Sequence, residues 1–139
     1  MENVEISVLI KMSSLILDKH ANQLLAPYDL TGSQFRILML LYQSPSGNIR
    51  QIDIENEFLM TNPTVTGLVQ KLEQKELIQR IPNTEDRRSK LLVLTERAMK
   101  MKEEILRLSD DLERQMTVNL SQKECAKLRE LLTKILNSN

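Results

Sequence analysis

Residues 49–94, IRQIDIENEFLMTNPTVTGLVQKLEQKELIQRIPNTEDRRSKLLVL, contain the pattern that decides the fold. A short helix is predicted at about Arg50–Phe58 and, after a tight turn, a second one at about Pro63–Lys75. Asn62 followed by Pro63 is a strong helix start, because asparagine caps a helix and proline at the first helical position loses no hydrogen bond. Two short helices joined by a tight turn predict a helix-turn-helix.

The residues that follow have the pattern of a β-hairpin. Residues 77–81 (LIQRI) and 90–94 (KLLVL) are predicted to be strands, since both are short runs dominated by leucine, isoleucine and valine. Between them lies the polar, turn-prone segment PNTEDRRS at 82–89. The hairpin comes directly after the second helix, as a wing would, so the pattern predicts a winged helix-turn-helix.

Two helices are predicted before this unit. The first covers about Val4–Leu25 and ends because Pro27 restricts the residue before it. The second begins at Thr31, which forms a capping box with Gln34 three residues on, and it ends at SPSG, residues 44–47.

Two helices are also predicted after the hairpin. A long one is predicted from Thr95 to about Leu120, and the last begins at a capping box of Ser121 with Glu124. The apolar positions of the last helix are predicted to face inward: Cys125, Leu128, Leu131, Leu132, Ile135 and Leu136. The predicted order is α-α-α-α-β-β-α-α, a mainly α chain with a small β-hairpin wing.

The composition excludes several classes of function. A chain of 139 residues suffices for one domain with a core, and no apolar run approaches the ~18 residues of a membrane span. The start Met1–Ile10 contains Glu2 and Glu5 rather than a basic leader, so we expect a cytoplasmic protein that is neither secreted nor bound to a membrane. The one cysteine, Cys125, excludes an internal disulfide and fits a reducing compartment.

Catalysis and metal binding also lack suitable residues. The chain has one histidine, His20, and no glycine-rich phosphate loop, and its carboxylates occur on helix surfaces beside lysines. We therefore expect no enzymatic activity, no cofactor and no metal site. His20 is expected to pack at a helix interface, where it could also respond to pH.

The second helix of the pair has one face suited to DNA. Its apolar stripe is Val65, Leu68, Val69 and Leu72, which must face the core. The opposite face carries small and short polar groups, with Gly67 at its centre and Thr64 and Lys71 on its shoulders, and such groups can approach base edges closely. Glycine here lowers helix stability by ~1 kcal/mol relative to alanine. Close approach to a groove floor would explain it, and the alternative is tight packing against a neighbouring helix.

The hairpin tip is the second candidate contact. Arg87, Arg88 and Lys90 cluster there, and an arginine at a tip can enter a narrow minor groove. We expect Asp86 to hold a neighbouring arginine through a carboxylate–guanidinium pair. The net charge of zero, with 19 basic and 19 acidic residues, leaves a different function open, namely a winged helix that binds another protein rather than DNA.

The same residues resemble the MarR family of bacterial transcriptional regulators. The run TVTGLVQKLE at 64–73 is similar to that family's recognition helix, LIQR at 77–80 to its first wing strand, and EDRR at 85–88 to its Asp-X-Arg wing motif. VLTE at 93–96 resembles the junction between the wing and the next helix. The resemblance is specific across 31–98 and looser over the rest of the chain.

The resemblance implies a function and an organisation. Residues 31–98 would be the DNA-binding lobe of a single domain, and residues 1–30 and 99–139 would be the dimerisation helices. The long helices at both ends also carry apolar stripes that a 139-residue monomer cannot fully cover, which predicts that they pair across a two-fold axis. The protein would be a homodimer on a pseudopalindromic operator that represses by blocking a promoter and is released by a small molecule or an oxidant. An activator without a response to an effector is the alternative. With Lys71 and Arg87 from the patterns above, the expected DNA contacts are Asn62, Thr64, Thr66, Gly67, Gln70, Lys71, Arg87 and Arg88.

Three residues depart from the family's pattern. The family often has glycine where this chain has Glu76 and again where it has Ala98. Glu76 lies at a helix end that favours a left-handed residue, so we expect that turn to be built differently. The thiol-sensing branches use a cysteine in or near the first helix, whereas Cys125 lies on the last one. Cys125 is therefore predicted to be a buried structural residue rather than a redox switch.

Overall fold

The computed structural model describes residues 2–44 and 47–139, and its element order confirms the predicted fold class. The helices are α1 (Ile6–Leu25), α2 (Gly32–Tyr42), α3 (Gln51–Phe58), α4 (Asn62–Gln74), α5 (Glu96–Lys100), α6 (Lys102–Thr117) and α7 (Gln122–Asn137), with a 3-10 turn at Ala26–Tyr28. The strands are β1 (Ile49–Arg50), β2 (Ile78–Pro82) and β3 (Lys90–Leu94).

The wing is part of a three-stranded antiparallel sheet with the order β1-β3-β2. β2 and β3 pair from Ile78 opposite Leu94 to Pro82 opposite Lys90, which agrees with the predicted hairpin to within one residue. The sequence did not predict β1, because two residues are too short for a periodic pattern. It pairs Ile49 with Leu92 and so anchors the start of α3 to the wing.

The core lies where the helix pair meets α2 and the sheet. Val65, Val69 and Leu72 of α4 are fully buried, which confirms the predicted inward stripe, and Leu68 is partly buried against them. Ile54 of α3 is also fully buried. This packing fixes which face of α4 is left outside.

The C-terminal end of α4 is hydrogen-bonded to the start of α2. The side chain of Gln34 is almost fully buried, and its oxygen accepts from the backbone amide of Thr31 at 3.2 Å and from Lys75 Nζ at 2.8 Å. Thr31 Oγ1 in turn accepts from the amide of Gln34, so the predicted capping box is confirmed. Lys75 Nζ also donates to the backbone oxygen of Asp29, where the chain leaves the 3-10 turn.

The predicted continuous helix from Thr95 to Leu120 is wrong at one point. Thr95 caps it as predicted, but α5 and α6 are separated at Met101. The hydroxyl of Tyr42 donates to the carbonyl oxygen of Ala98, which also accepts from the amide of Met101 three residues later. The Ala98 carbonyl therefore bonds to Tyr42 and Met101 instead of to the amide of Lys102, its partner in a regular α-helix.

The predicted turn signals have mixed outcomes. The capping box of Ser121 and Glu124 is confirmed, as is the end of α1 before Pro27. The expectation of a differently built turn at Glu76 is wrong, since Glu76 itself adopts the left-handed conformation with φ of 60°. Of the predicted break at 44–47, Pro45 and Ser46 lie outside the described residues.

The terminal helices are largely exposed in the single chain. No residue of α7 is buried within the single chain, so the expectation that its leucines and isoleucine face inward is wrong, and Cys125 is half-buried. In α1 only Ala21 and Leu25 are buried. Within the described ranges, the structure contains no helix long and apolar enough to cross a bilayer.

Candidate nucleic-acid interface

α3 and α4 form the predicted helix-turn-helix through a tight left-handed turn. Leu59 ends α3 with φ of 53°, and the amide of Met60 donates to the carbonyl of Glu55 at 3.0 Å. The turn lies on the outside, since Leu59 is 77% exposed. It brings the first turn of α4 against the side of α3.

Asn62 does not cap α4 as predicted. The helix begins at Asn62 itself, with Thr61 as the preceding extended residue and Pro63 in the first turn. The side chain of Asn62 is used differently: its Nδ2 donates to Glu55 Oε2 of α3 at 3.1 Å. Thr61 and Thr64 bond to each other through their hydroxyls at 2.9 Å.

Thr66 lies on the shoulder of α4 that faces α3. Its hydroxyl oxygen accepts from Gln51 Nε2 at 2.7 Å, and it is half-buried. The same nitrogen of Gln51 lies 3.5 Å from the backbone oxygen of Asn62. Two of the predicted DNA contacts, Asn62 and Thr66, are therefore held by side chains of α3.

The centre of the α4 face is open. A Cβ built on Gly67 would meet nothing within 4 Å, so the alternative that Gly67 permits tight packing against a neighbouring helix is wrong. Thr64, Gln70 and Lys71 are exposed around it. α4 thus presents a small, uncrowded surface flanked by polar groups.

The hairpin tip is built by side chains that bond to the backbone. Asn83 Oδ1 accepts from the amide of Glu85 at 3.1 Å, and Asp86 Oδ1 accepts from the amide of Arg88 at 3.0 Å. The predicted carboxylate–guanidinium pair of Asp86 is absent from the ion pairs of the described residues. Asp86 therefore shapes the turn that carries Arg87 and Arg88, and both arginines are exposed.

A cleft of about 340 Å³ lies between α3, the start of α4 and the hairpin. It brings together Asn62 and Arg88, which are 26 positions apart in the chain. Its lining includes Lys90, which the sequence analysis placed in the cluster at the hairpin tip. It also includes Arg50, Gln51 and Arg80, which the sequence analysis did not propose as DNA contacts, because only the fold brings them to this cleft.

Two of the cleft's cations are paired with acids. Arg80 binds Glu73 of α4 through Nε and Nη2, at 2.8 and 2.7 Å from Glu73 Oε1. Arg50 binds Asp53 through its guanidinium, and Asp53 also accepts from the backbone amide of Arg50. These hydrogen bonds with Arg50 lower the pKa of the Asp53 carboxyl. The other two cations that line the cleft, Arg88 and Lys90, belong to neither of these pairs.

Groups that could support other chemistry do not converge. Across residues 2–44 and 47–139, no three histidine, cysteine, aspartate or glutamate side chains are placed to hold a metal ion. His20 is half-buried on α1, far along the chain from the half-buried Cys125 on α7.

Comparison with known proteins agrees with this architecture. The family model described as the MarR family matches residues 30–90. The multiple antibiotic resistance protein MarR of Salmonella typhimurium is 31% identical over 136 residues, which are 97% of this chain and 93% of that protein. The S. aureus MepR–DNA complex has a TM-score of 0.89 at 32% identity and covers 99% of this chain and 100% of its own.

A second solved protein is informative because it was determined with and without DNA. A mutant of E. coli MarR in complex with operator DNA has a TM-score of 0.85 at 29% identity, covering 97% of this chain and 96% of its own. Without DNA, the same mutant has a TM-score of 0.74 at 28% identity, covering 96% and 97%. The likeness extends over nearly the whole chain, including the helices outside the lobe. The chain therefore belongs to the MarR family, as the resemblance of its recognition helix and wing predicted.

Proposed function

We propose that this chain is a sequence-specific regulator of transcription that binds double-stranded DNA as a homodimer on a pseudopalindromic operator. We propose that it acts as a repressor by blocking a promoter, which is the commonest mode in the family. It would act in the cytoplasm, where the bacterial chromosome lies. The MarR family consists of regulators rather than enzymes, in agreement with our expectation that the chain has no enzymatic activity.

One observation carries the proposal of DNA binding. The exposed face of α4 has open space at Gly67, and a cleft lined by α3, by Asn62 at the start of α4 and by the hairpin contains Arg88. A helix with small and short polar groups fits a major groove, and an arginine on an adjacent hairpin fits the neighbouring minor groove.

The surfaces of α1 and α7 support a homodimer. Eleven large apolar residues of these helices are between 39% and 71% exposed in the single chain: Ile6, Val8, Ile10, Met12, Leu15 and Ile16 of α1, and Leu128, Leu131, Leu132, Ile135 and Leu136 of α7. Exposed apolar surface on this scale marks an interface, and a second copy of the same chain would cover both helices by two-fold symmetry. Two recognition helices would then meet half-sites about one DNA turn apart, ~10 bp.

A second cleft supports release by a small molecule. It has a volume of about 320 Å³ and lies between α2, β3 and α5, where the lobe meets the C-terminal helices. Tyr42, Leu92, Met99 and Lys102 are among its lining residues, so it offers both apolar and charged groups. A ligand that changes the spacing of the two lobes would weaken DNA binding by typically 1–3 kcal/mol, and DNA would weaken its binding by the same factor.

Salt dependence distinguishes DNA binding from the alternative of a protein-binding module. We expect the purified protein to select related duplexes from a random pool, with an affinity that falls steeply as salt rises because bound phosphates release counterions. Arg88→Ala should weaken binding, whereas Arg107→Ala on the exposed side of α6 should not. Absence of duplex binding at ~50 mM salt would refute the proposal, and a recovered site without two-fold symmetry would refute the homodimer.

A further inference from the structure

We propose that Gln51 of α3 determines part of the base preference of this protein, by fixing the hydroxyl of Thr66 as a hydrogen-bond donor toward DNA. The inference rests on the proposed DNA binding and deepens it. Gln51 acts here as a positioning residue, because its effect on the base is transmitted through Thr66.

The orientation of the Gln51 side chain follows from its two neighbours. Its Nε2 lies 3.5 Å from the backbone oxygen of Asn62 and 2.7 Å from Thr66 Oγ1. A backbone carbonyl oxygen can only accept a hydrogen bond, so the amide nitrogen and not the amide oxygen of Gln51 must face this side. The nitrogen therefore donates to Thr66 Oγ1 and occupies one of its lone pairs.

The hydroxyl proton of Thr66 is then available to a partner outside the chain. Threonine hydroxyls within helices often donate to the carbonyl four residues earlier, as Thr117 does to Glu113 at 2.8 Å and Thr133 to Arg129 at 2.7 Å. Among the hydrogen bonds of the described residues, the Thr66 hydroxyl donates none. A base with an acceptor in the major groove would complete its hydrogen bonding.

The neighbouring pair on α3 has the same arrangement. Glu55 lies one turn after Gln51, so both side chains lie on one side of α3. Glu55 Oε2 accepts from Asn62 Nδ2 at 3.1 Å, and since a carboxylate accepts only, it orients the Asn62 amide with its nitrogen toward α3. α3 thus orients two polar groups of the recognition helix before DNA arrives.

The fixed hydroxyl direction has a consequence for sequence preference. A donor can pair with N7 or O6 of guanine, N7 of adenine or O4 of thymine, but not with the exocyclic amino group of cytosine or adenine. With Gln51→Glu, the carboxylate would accept a hydrogen bond from the Thr66 hydroxyl. Thr66 would then have only its oxygen lone pairs available, as an acceptor, for the base. The preferred base at that position should then change to one that presents an amino donor.

The experiment is selection of bound duplexes from a random pool with the wild-type protein and four variants. Thr66→Val should remove the preference at one base pair in each half-site, which identifies the contacted pair. Gln51→Glu should reverse the preference at that pair by about tenfold, the order expected for one good base contact. Gln51→Lys is the matched control, because lysine still donates to Thr66 and should keep the wild-type preference.

These substitutions should leave the fold intact. Gln51 is the first residue of α3 and is only half-buried, and an acidic side chain is favourable at a helix N-terminus. Thermal unfolding of each variant checks this. If Gln51→Glu binds too weakly for selection, the uncharged Gln51→Met decides: its Thr66 hydroxyl can both donate and accept, so the preference at that pair should fall to about equal.

The outcomes separate this inference from the proposed function. If the wild-type protein selects no sequence, both fail. If the wild type has a preference that Thr66→Val removes, but the Gln51 variants change the affinity for all sequences by one factor and keep that preference, DNA binding stands and the inference is wrong. A preference that survives Thr66→Val also refutes the inference.

Discussion

Gly67→Ala should change stability and DNA affinity in opposite directions. Gly67 lies in the middle of α4 with no positive φ, and a Cβ at this position meets nothing within 4 Å. The new methyl group therefore has no steric cost in the free protein. Alanine is favoured over glycine in a helix interior by about 1 kcal/mol, partly because it restricts the unfolded chain. We expect the free energy of unfolding to rise by about 0.5–1 kcal/mol.

The same methyl group should weaken DNA binding at least about tenfold. It would project from the centre of the face that we propose to lie against base edges, and misfit at one base pair typically costs ~1–3 kcal/mol. Glu76→Gly is the matched control. Its left-handed φ of 60° strains a residue with a side chain, so glycine there should also stabilise, by about 0.5–1 kcal/mol, while it leaves the α4 face unchanged.

Both quantities can be measured on the same preparations. Urea unfolding at one fixed protein concentration gives stability, since the stability of a dimer depends on concentration. Fluorescence anisotropy with a labelled selected duplex gives affinity. If Gly67→Ala destabilises the protein, the space at Gly67 is not open. If it stabilises the protein and binds DNA as the wild type does, the centre of the face does not approach DNA.

Three further predictions concern the core, the dimer and the acid limb of stability. Tyr42→Phe should lower the free energy of unfolding by about 1 kcal/mol, because it removes the hydrogen bond to the Ala98 carbonyl. Because burial raises the pKa of Tyr42 to about 12, the wild type should also lose stability as the pH rises from about 10 through 12. The variant should lack this part of the loss when urea unfolding is measured over the same alkaline range. Leu132→Lys should give monomers by light scattering at micromolar concentration, whereas Leu59→Lys, at an exposed apolar residue outside α1 and α7, should not. Since the bond to Arg50 lowers the pKa of Asp53, the stability that this pair contributes is present above about pH 3.8 and is lost as the pH falls below it. Asp53→Asn should therefore make the free energy of unfolding fall less steeply at acid pH. An unchanged dependence on pH would contradict the role of this pair.

The features that the sequence predicted well depend on neighbouring residues. The capping boxes at Thr31 and Ser121 need only a partner three positions away, and the inward stripe of α4 follows from its helical period. The hairpin was found because two apolar runs flank a polar segment. The outward α4 face was therefore predictable, since it is the complement of the buried one.

The features that the sequence missed depend on distant residues or on a second chain. The break at Met101 involves Tyr42, 56 positions before Ala98, and no local pattern indicates it. The use of Asn62 by Glu55 requires the two helices to be packed together, so Asn62 looked like an ordinary cap. The sequence predicted apolar stripes on the terminal helices that one chain cannot fully cover, but it also placed the apolar positions of α7 inward, because a stripe has the same spacing whether its own chain or a partner covers it.

The contacts of α4 also limit how a signal could reach it. The N-terminal part of α4 is hydrogen-bonded to Gln51 and Glu55, and Lys75 at its other end is hydrogen-bonded to Gln34, so a shift of α4 relative to α2 or α3 would break these bonds. In the homodimer that we propose, a change in the spacing of the two α4 helices that keeps these bonds would move α2, α3 and α4 together relative to the terminal helices. The chain joins them at two places where a regular helix is interrupted, the 3-10 turn Ala26–Tyr28 and Met101. Because the second cleft borders α5, just before Met101, a ligand there would act next to one of these two joints rather than on the DNA-facing residues themselves.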